Sequence, residues 1–316
     1  MCARRISLMA SGLRLSALEW SPEGTPDRTV LLLHGYLDMA WSWRFCVEAL
    51  HAAHPESRRW RIVALDWRGH GESEWIGPGG YYHFMDYVRD LEQVTYGLVG
   101  GDAGWGPLVV VGHSMGAGVA SLWAGTRPER LDGLVLVEGI GVPPSSPDDA
   151  PERTRRWLSQ TAPFDGVRFT RPMADIHEAA KRLCRFDPLL PEARALILAE
   201  HATTLMSGSA FEGQGGEEVQ LRWRYDPLHR TRSPLPVLPA VADAFARQIE
   251  APALWIGGAE SPWSEAAVAS RLDNIPGLKR TTLSGAGHMV QHHVPEDLAR
   301  EIAMFISGLE STAVLG

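Results

Sequence analysis

Residues 108–120 read LVVVGHSMGAGVA, and the serine at their centre is the residue best suited to act as a nucleophile. Four apolar residues run into Gly112-His113-Ser114-Met115-Gly116, after which small and apolar residues continue at helical spacing. A tight turn from strand to helix strains its central residue and lifts that side chain off the sheet. Backbone and incoming helix pass so close that glycine is needed two residues to either side, here Gly112 and Gly116, and Gly118 adds clearance one turn later. Ser114 is therefore expected at the carboxyl edge of a sheet, at a helix N-terminus whose amides favour developing negative charge. In a chain with 32 glycines the five-residue pattern alone is weak; the strand before it and the helix after it make it specific.

A serine needs a base, and the base needs an orienting acid. With the nucleophile on a turn of this kind, the chain order is serine, acid, histidine. His288 lies in LSGAGHMVQHHVPEDLA, on a glycine-rich loop that can bring an imidazole back over the sheet edge. It is the expected base, while His292 and His293, farther along beside the last helix, read as solvated surface residues. Two glutamates compete for the acid. Glu138 directly extends the apolar run GLVLV, where a carboxylate is costly to desolvate unless it has a partner. Glu260 sits beside Ser261, Pro262 and Ser264, a polar turn in which a solvated glutamate needs no partner. This contrast favours Glu138. An oxyanion needs two N–H donors: one expected from Met115, after the nucleophile, the other from the loop after LLLHG, from Tyr36 or alternatively Leu37.

The elements that must position these groups are short apolar runs bounded by Gly, Pro or charge: 29–35, 61–66, 107–114, 133–138 and 252–258. Continuous rather than alternating apolarity predicts strands buried on both faces, as in a parallel sheet. Amphipathic stretches of helix length separate them, so the chain reads as an α/β doubly wound sheet. A hairpin over about residues 6–20 adds antiparallel edge strands. After Glu138 the alternation breaks at GIGVPPSSPDDAPERTRRW, and helical patterns without strands run to about Pro236. That predicts a core of 1–141 and 237–316, with a mostly helical cap at 142–236.

The bulk properties exclude other classes. The chain has 316 residues, 45% hydrophobic and 22% charged, with net charge −8 and no Lys/Arg stripe, so nucleic acid is not an expected partner. The start is too polar for a secretory signal, and no stretch approaches the roughly 18 apolar residues of a membrane helix. Three cysteines without metal-like spacing suggest a reduced, cytoplasmic setting. No phosphate-binding loop, dinucleotide fingerprint or metal motif occurs, so no cofactor and no metal are expected. Twelve tryptophans are many for this length; Trp41 and Trp43 could border a site or simply fill a core.

LLLHGYLD, ALDWRGHGES, GHSMGAG and GAGH stand in the order found in the α/β-hydrolase superfamily, which this chain resembles from about residue 30 to its end. HGYLDMAWSWRF, ALDWRGHGES with YYHFMDYVRDL, and RYDPLHRTRSP are similar to serine hydrolase-like proteins; LVEGIGVP and the histidine segment are similar to haloalkane dehalogenases. The resemblance implies an α/β-hydrolase fold with an eight-stranded, mostly parallel sheet and an inserted helical cap. It also implies bracing roles for Asp66 and Arg68, while His34 reads from its place directly before Gly35 as a histidine that braces the loop. It leaves the acid open: superfamily members use either strand end, more often the later one, and Gly257-Gly258-Ala259-Glu260 has that spacing, whereas the dehalogenase likeness points to Glu138. Dehalogenases carry Asp at the turn. With Ser114 there, attack on a carbon–halogen bond would leave an ether without a carbonyl to hydrolyse. The expectation is a carboxylesterase-like serine hydrolase, a monomer or homodimer, acting on small to medium apolar acyl substrates. Lactone or carbon–carbon bond hydrolysis, and a binding or sensing protein with negligible turnover, are the alternatives.

Overall fold

The computed structural model describes residues 2–100, 106–139, 145–162, 171–207 and 219–313. β1 (Arg4–Ala10) and β2 (Leu13–Trp20) form the N-terminal hairpin. Then come β3 (Arg28–Leu33), α1 (Arg44–Ala53), β4 (Trp60–Leu65), α2 (Phe84–Val99), β5 (Leu108–His113), α3 (Met115–Ala124) and β6 (Gly133–Val137). The alternation resumes with α7 (Pro239–Ala246), β9 (Ala253–Gly258), α8 (Glu265–Leu272), β10 (Lys279–Leu283), the short α9 (Val290–His293) and α10 (Pro295–Ala313). The eight strands lie in the order β1-β2-β4-β3-β5-β6-β9-β10. β2 runs antiparallel to both neighbours, and every other pairing is parallel.

The apolar runs fold this way because they are covered on both faces. Val109, Val111, Val135 and Val137 face one core with residues of α1 and α10; Leu108, Val110, Leu134 and Leu136 face the other with α2, α3, α7 and α8. Trp43, Trp60, Trp67, Trp123 and Trp255 are fully buried, so Trp43 fills the core.

Between β6 and β9 lie α4 (Ala150–Thr161), α5 (Ile176–Phe186), α6 (Glu192–Ala202) and an antiparallel pair, β7 (Thr203–Ser207) with β8 (Val219–Trp223). This hairpin corrects the strand-free reading of the segment. Thr203 and Thr204 are consecutive β-branched residues that end α6 rather than extend it, and Val219, Leu221 and Trp223 alternate as a strand does. The expected boundary at 141/142 lies outside the described residues. A separate small core, including Met39, Ala179, Leu190, Ala195 and Leu198, holds α5 and α6 against the loop after β3. No described helix is long and apolar enough to cross a membrane.

Candidate active site

Ser114 occupies the turn between β5 and α3 with φ 51° and ψ −111°, a left-handed conformation that costs an L-residue energy and persists only where its surroundings impose it. Its amide donates to Val137 O, tying the turn to β6. A Cβ on Gly116 would sit 2.5 Å from Leu33 O and 2.7 Å from His34 O, so the loop after β3 packs directly on the turn and only glycine fits. A Cβ on Gly35 would lie 3.3 Å from that of Ser114, which puts the same loop beside the hydroxyl.

The structure brings Ser114, His288 and Glu138 into one chain of hydrogen bonds. His288 Nε2 lies 3.0 Å from Ser114 Oγ, and its Nδ1 lies 3.0 Å from Glu138 Oε2. Glu138 is 1% exposed and, like Ser114, has a positive φ of 54°. Its Oε1 accepts from the Gly258 amide at 2.7 Å and its Oε2 from the Ser261 hydroxyl at 2.5 Å. A buried carboxylate is tolerated when its lone pairs are filled in this way. Glu260 is exposed and instead accepts from the Gly285 amide at 3.1 Å, steadying the histidine loop from outside. Ser261 and the Gly258 amide were not singled out in the sequence. The polar turn there carries the signal, but only the fold shows which glutamate it serves.

Two amides face unmet demand. Met115 N is the first amide of α3 and has no acceptor one turn back, and among the described residues Tyr36 N is likewise unpaired. Leu37 N, the alternative, donates to His70 Nε2 at 3.3 Å. Because His70 Nδ1 donates to Arg68 O, its Nε2 is the acceptor, and this bond holds Leu37 at φ 57°. The bracing residues behave as expected. His34 Nδ1 donates to Gly35 O and its Nε2 accepts from Trp67 N; Asp66 accepts from the Ala40 and Glu72 amides; Arg68 pairs with Asp90 through two bonds of 2.5 and 2.6 Å. His113 Nε2 donates to His288 O at 2.8 Å, and burial lowers its pKa well below the usual histidine range.

His292 and His293 correct the surface reading. His292 is buried against Ser42, 2.7 Å away, and burial lowers its pKa to about 3. His293 Nε2 binds both oxygens of Asp187, at 2.9 and 2.8 Å, and its Nδ1 accepts from the Gly287 amide at 3.0 Å. The residue beside the candidate base is thereby tied to the end of α5. Doublet histidines at the start of an apolar helix gave no sign of this, because the partner lies 106 residues away.

A cavity of about 470 Å³ adjoins the site, with Tyr36, Leu37 and Met289 in its wall beside the loop amide and His288. Leu183, Phe186, Leu190 and Leu198 supply an apolar wall, with Trp223 the tryptophan that lines it. Trp41 instead stacks on His201, ring centres 4.0 Å apart. Asp38 also lines the cavity: Ser42 donates to it at 2.6 Å, and burial raises its pKa to about 7.

Comparison with known proteins agrees with this architecture. The alpha/beta hydrolase fold family matches residues 28–293. A serine hydrolase-like protein of Danio rerio is 30% identical over 191 residues, 60% of this chain and 55% of that protein. Epoxide hydrolase B of Mycobacterium tuberculosis is 35% identical over 138 residues, 43% of this chain and 35% of that protein. The matches thus span about a third to a half of these relatives' lengths. Among solved structures, a hypothetical protein of Pseudomonas aeruginosa PAO1 is 27% identical with a TM-score of 0.77, covering 97% of this chain and 100% of that one. The thioesterase domain from the curacin biosynthetic pathway is 26% identical with a TM-score of 0.77, covering 96% and 99%. The chain belongs to the α/β-hydrolase fold family and, within it, is related to the serine hydrolase-like proteins.

Proposed function

We propose that the protein is a serine hydrolase that cleaves ester-type acyl bonds of small to medium substrates through Ser114, His288 and Glu138. The observation that carries this reading is the unbroken chain from Ser114 Oγ to His288 to Glu138, both steps at 3.0 Å, on a strained turn. His288 takes the Ser114 proton as the oxygen attacks the carbonyl carbon. The Tyr36 and Met115 amides receive the oxyanion, and Glu138 stabilises the imidazolium. The leaving alcohol takes the proton from His288. Water, deprotonated by the same imidazole, then hydrolyses the acyl-enzyme and regenerates Ser114. The segment between β6 and β9 acts as a cap: its α5 and α6 wall the cavity, which is of a size for a medium acyl chain.

The relatives' names include an epoxide hydrolase and a monoacylglycerol lipase, and a structural neighbour is a thioesterase. Acyl transfer fits this nucleophile better than epoxide opening, because a serine ether offers no carbonyl for the second step. The test is p-nitrophenyl butyrate turnover by wild type and Ser114→Ala, with fluorophosphonate labelling located by mass spectrometry. Turnover lost in the variant and label on Ser114 are expected. Equal slow release by both proteins, with no label, would leave a binding protein on a hydrolase scaffold.

A further inference from the structure

We propose that the cavity takes an ester whose far end carries a carboxylate, seated on the Arg230 guanidinium and the Tyr225 hydroxyl. The proposal rests on the serine-hydrolase reading and adds the class of substrate. Three arginines line the cavity, and two are already committed. Arg182 is spent on Glu178 and on the carbonyls of Arg171 and Pro172. Arg224 pairs with Glu72 and donates twice to Thr203 O. Arg230 has no carboxylate partner among the described residues; one of its five N–H groups donates to Tyr225 Oη at 3.2 Å. Because guanidinium can only donate, Tyr225 accepts there, and its own proton has no acceptor among the described residues. The tyrosine is 7% exposed and lines the same cavity, so its hydroxyl and the guanidinium offer an anion adjacent donors.

The two acids of the wall do not fill this seat. Asp187 is held by His293, and Asp38 is turned toward Ser42, with burial favouring its neutral form. The seat is also fixed relative to the reacting end. Arg230 closes a short turn, Pro227–Arg230, capped by Asp226 through the Leu228 amide, and Asp226 is held by Tyr82. The carbonyl of its neighbour His229 accepts from the Tyr36 hydroxyl at 2.5 Å. The same tyrosine that offers an oxyanion amide therefore anchors the turn that carries Arg230. Apart from these groups the cavity is lined mostly by apolar side chains, which suits a short methylene chain with one charged end.

The test compares mono-p-nitrophenyl glutarate with p-nitrophenyl 5-methylhexanoate, in which an isopropyl group replaces the carboxylate. Wild type should favour the anionic ester about tenfold in kcat/KM at low salt, chiefly through KM, with the preference shrinking as salt is added. Arg230→Gln should lose that preference through a loss on the anionic ester that exceeds any change on the neutral one, and Tyr225→Phe should lose a smaller part of it. No preference in wild type, or an equal loss on both esters in Arg230→Gln, would overturn the proposal. Sodium glutarate, against sodium chloride at equal ionic strength, should raise the Tm of wild type and not of Arg230→Gln. This arm reads the seat without turnover, so a protein that hydrolyses neither ester still decides it, while refuting the esterase reading separately.

Discussion

The two walls of the cavity are held in different ways. On the sheet side, every residue of β5 and β6 is buried, and the site residues stand on strand ends where backbone bonds from neighbouring strands fix them. On the inserted side, α5 buries only Ala179 and Ala180, and α6 buries Ala195, Leu198 and Ala199. Phe186 at the end of α5 is 86% exposed although it lines the cavity. The first wall, packed throughout, fixes position; the second carries the side chains that set fit, and its small core is cheaper to open. The arrangement allows one sheet edge to serve different substrates by changing only the second wall.

Breaking the first wall should have the largest effect. Glu138→Gln removes the charge behind His288 and should lower kcat on p-nitrophenyl butyrate about 10⁴-fold, by the precedent of other triads, whereas Glu260→Gln should leave kcat within a few-fold. Comparable losses in both variants would mean that the sheet edge does not single out Glu138.

Acid should act next, through the buried histidines. Burial lowers the pKa of His34, His51, His70, His113, His229 and His292, to about 4 for His51 and His70 and about 3 for His292. Above their ordinary value near 6.5 these groups are neutral folded or unfolded, and stability does not depend on them. Below it the unfolded chain binds protons that the folded chain refuses, so stability falls toward pH 4, by up to about 3 kcal/mol for a group shifted as far as His70. Asp38 and Asp66, raised to about 7 and about 6, and Asp226, also raised by burial, act in the opposite sense over the same range, but these three carboxyls do not outweigh the more numerous buried histidines. Urea unfolding at pH 7 and pH 5 should show the lower midpoint at pH 5; an unchanged midpoint would contradict the buried, neutral histidines.

The smallest effect tests the link between the walls. His293→Phe keeps the bulk of the ring but removes its bonds to Asp187 and to the Gly287 amide, loosening the loop of His288. Steady-state kinetics should show kcat lowered about tenfold, with Ser114 still labelled by fluorophosphonate. An unchanged kcat would mean that the sheet side holds His288 without help from the inserted segment.

The same division separates what could be read in the chain from what could not. Ser114 was legible because a strained turn between a buried strand and a helix demands small residues at fixed spacing, and that demand is local. Glu138 was favoured over Glu260 because an apolar run ending in a carboxylate poses a desolvation problem that a partner solves, while the spacing of Glu260 kept the choice open. The hairpin of β7 and β8 was not, since its first strand continues a helical pattern without a break other than two threonines. His293 looked like a surface residue because a histidine beside a helix carries no mark of the aspartate that meets it.

What the residues determined alone is the alternation of strands and helices and a strained turn centred on Ser114, which follow from periodicity and from the small residues such a turn demands; they also put His288 forward as the base and favoured Glu138 over Glu260 as the acid. What only the tertiary structure decided is which donors fill Glu138, which arginine keeps unspent hydrogens and how the inserted segment grips the histidine loop. The first and last of these depend on contacts between residues more than 100 positions apart in the chain, such as Glu138 with Ser261 and Asp187 with His293, and local spacing carries no trace of such meetings.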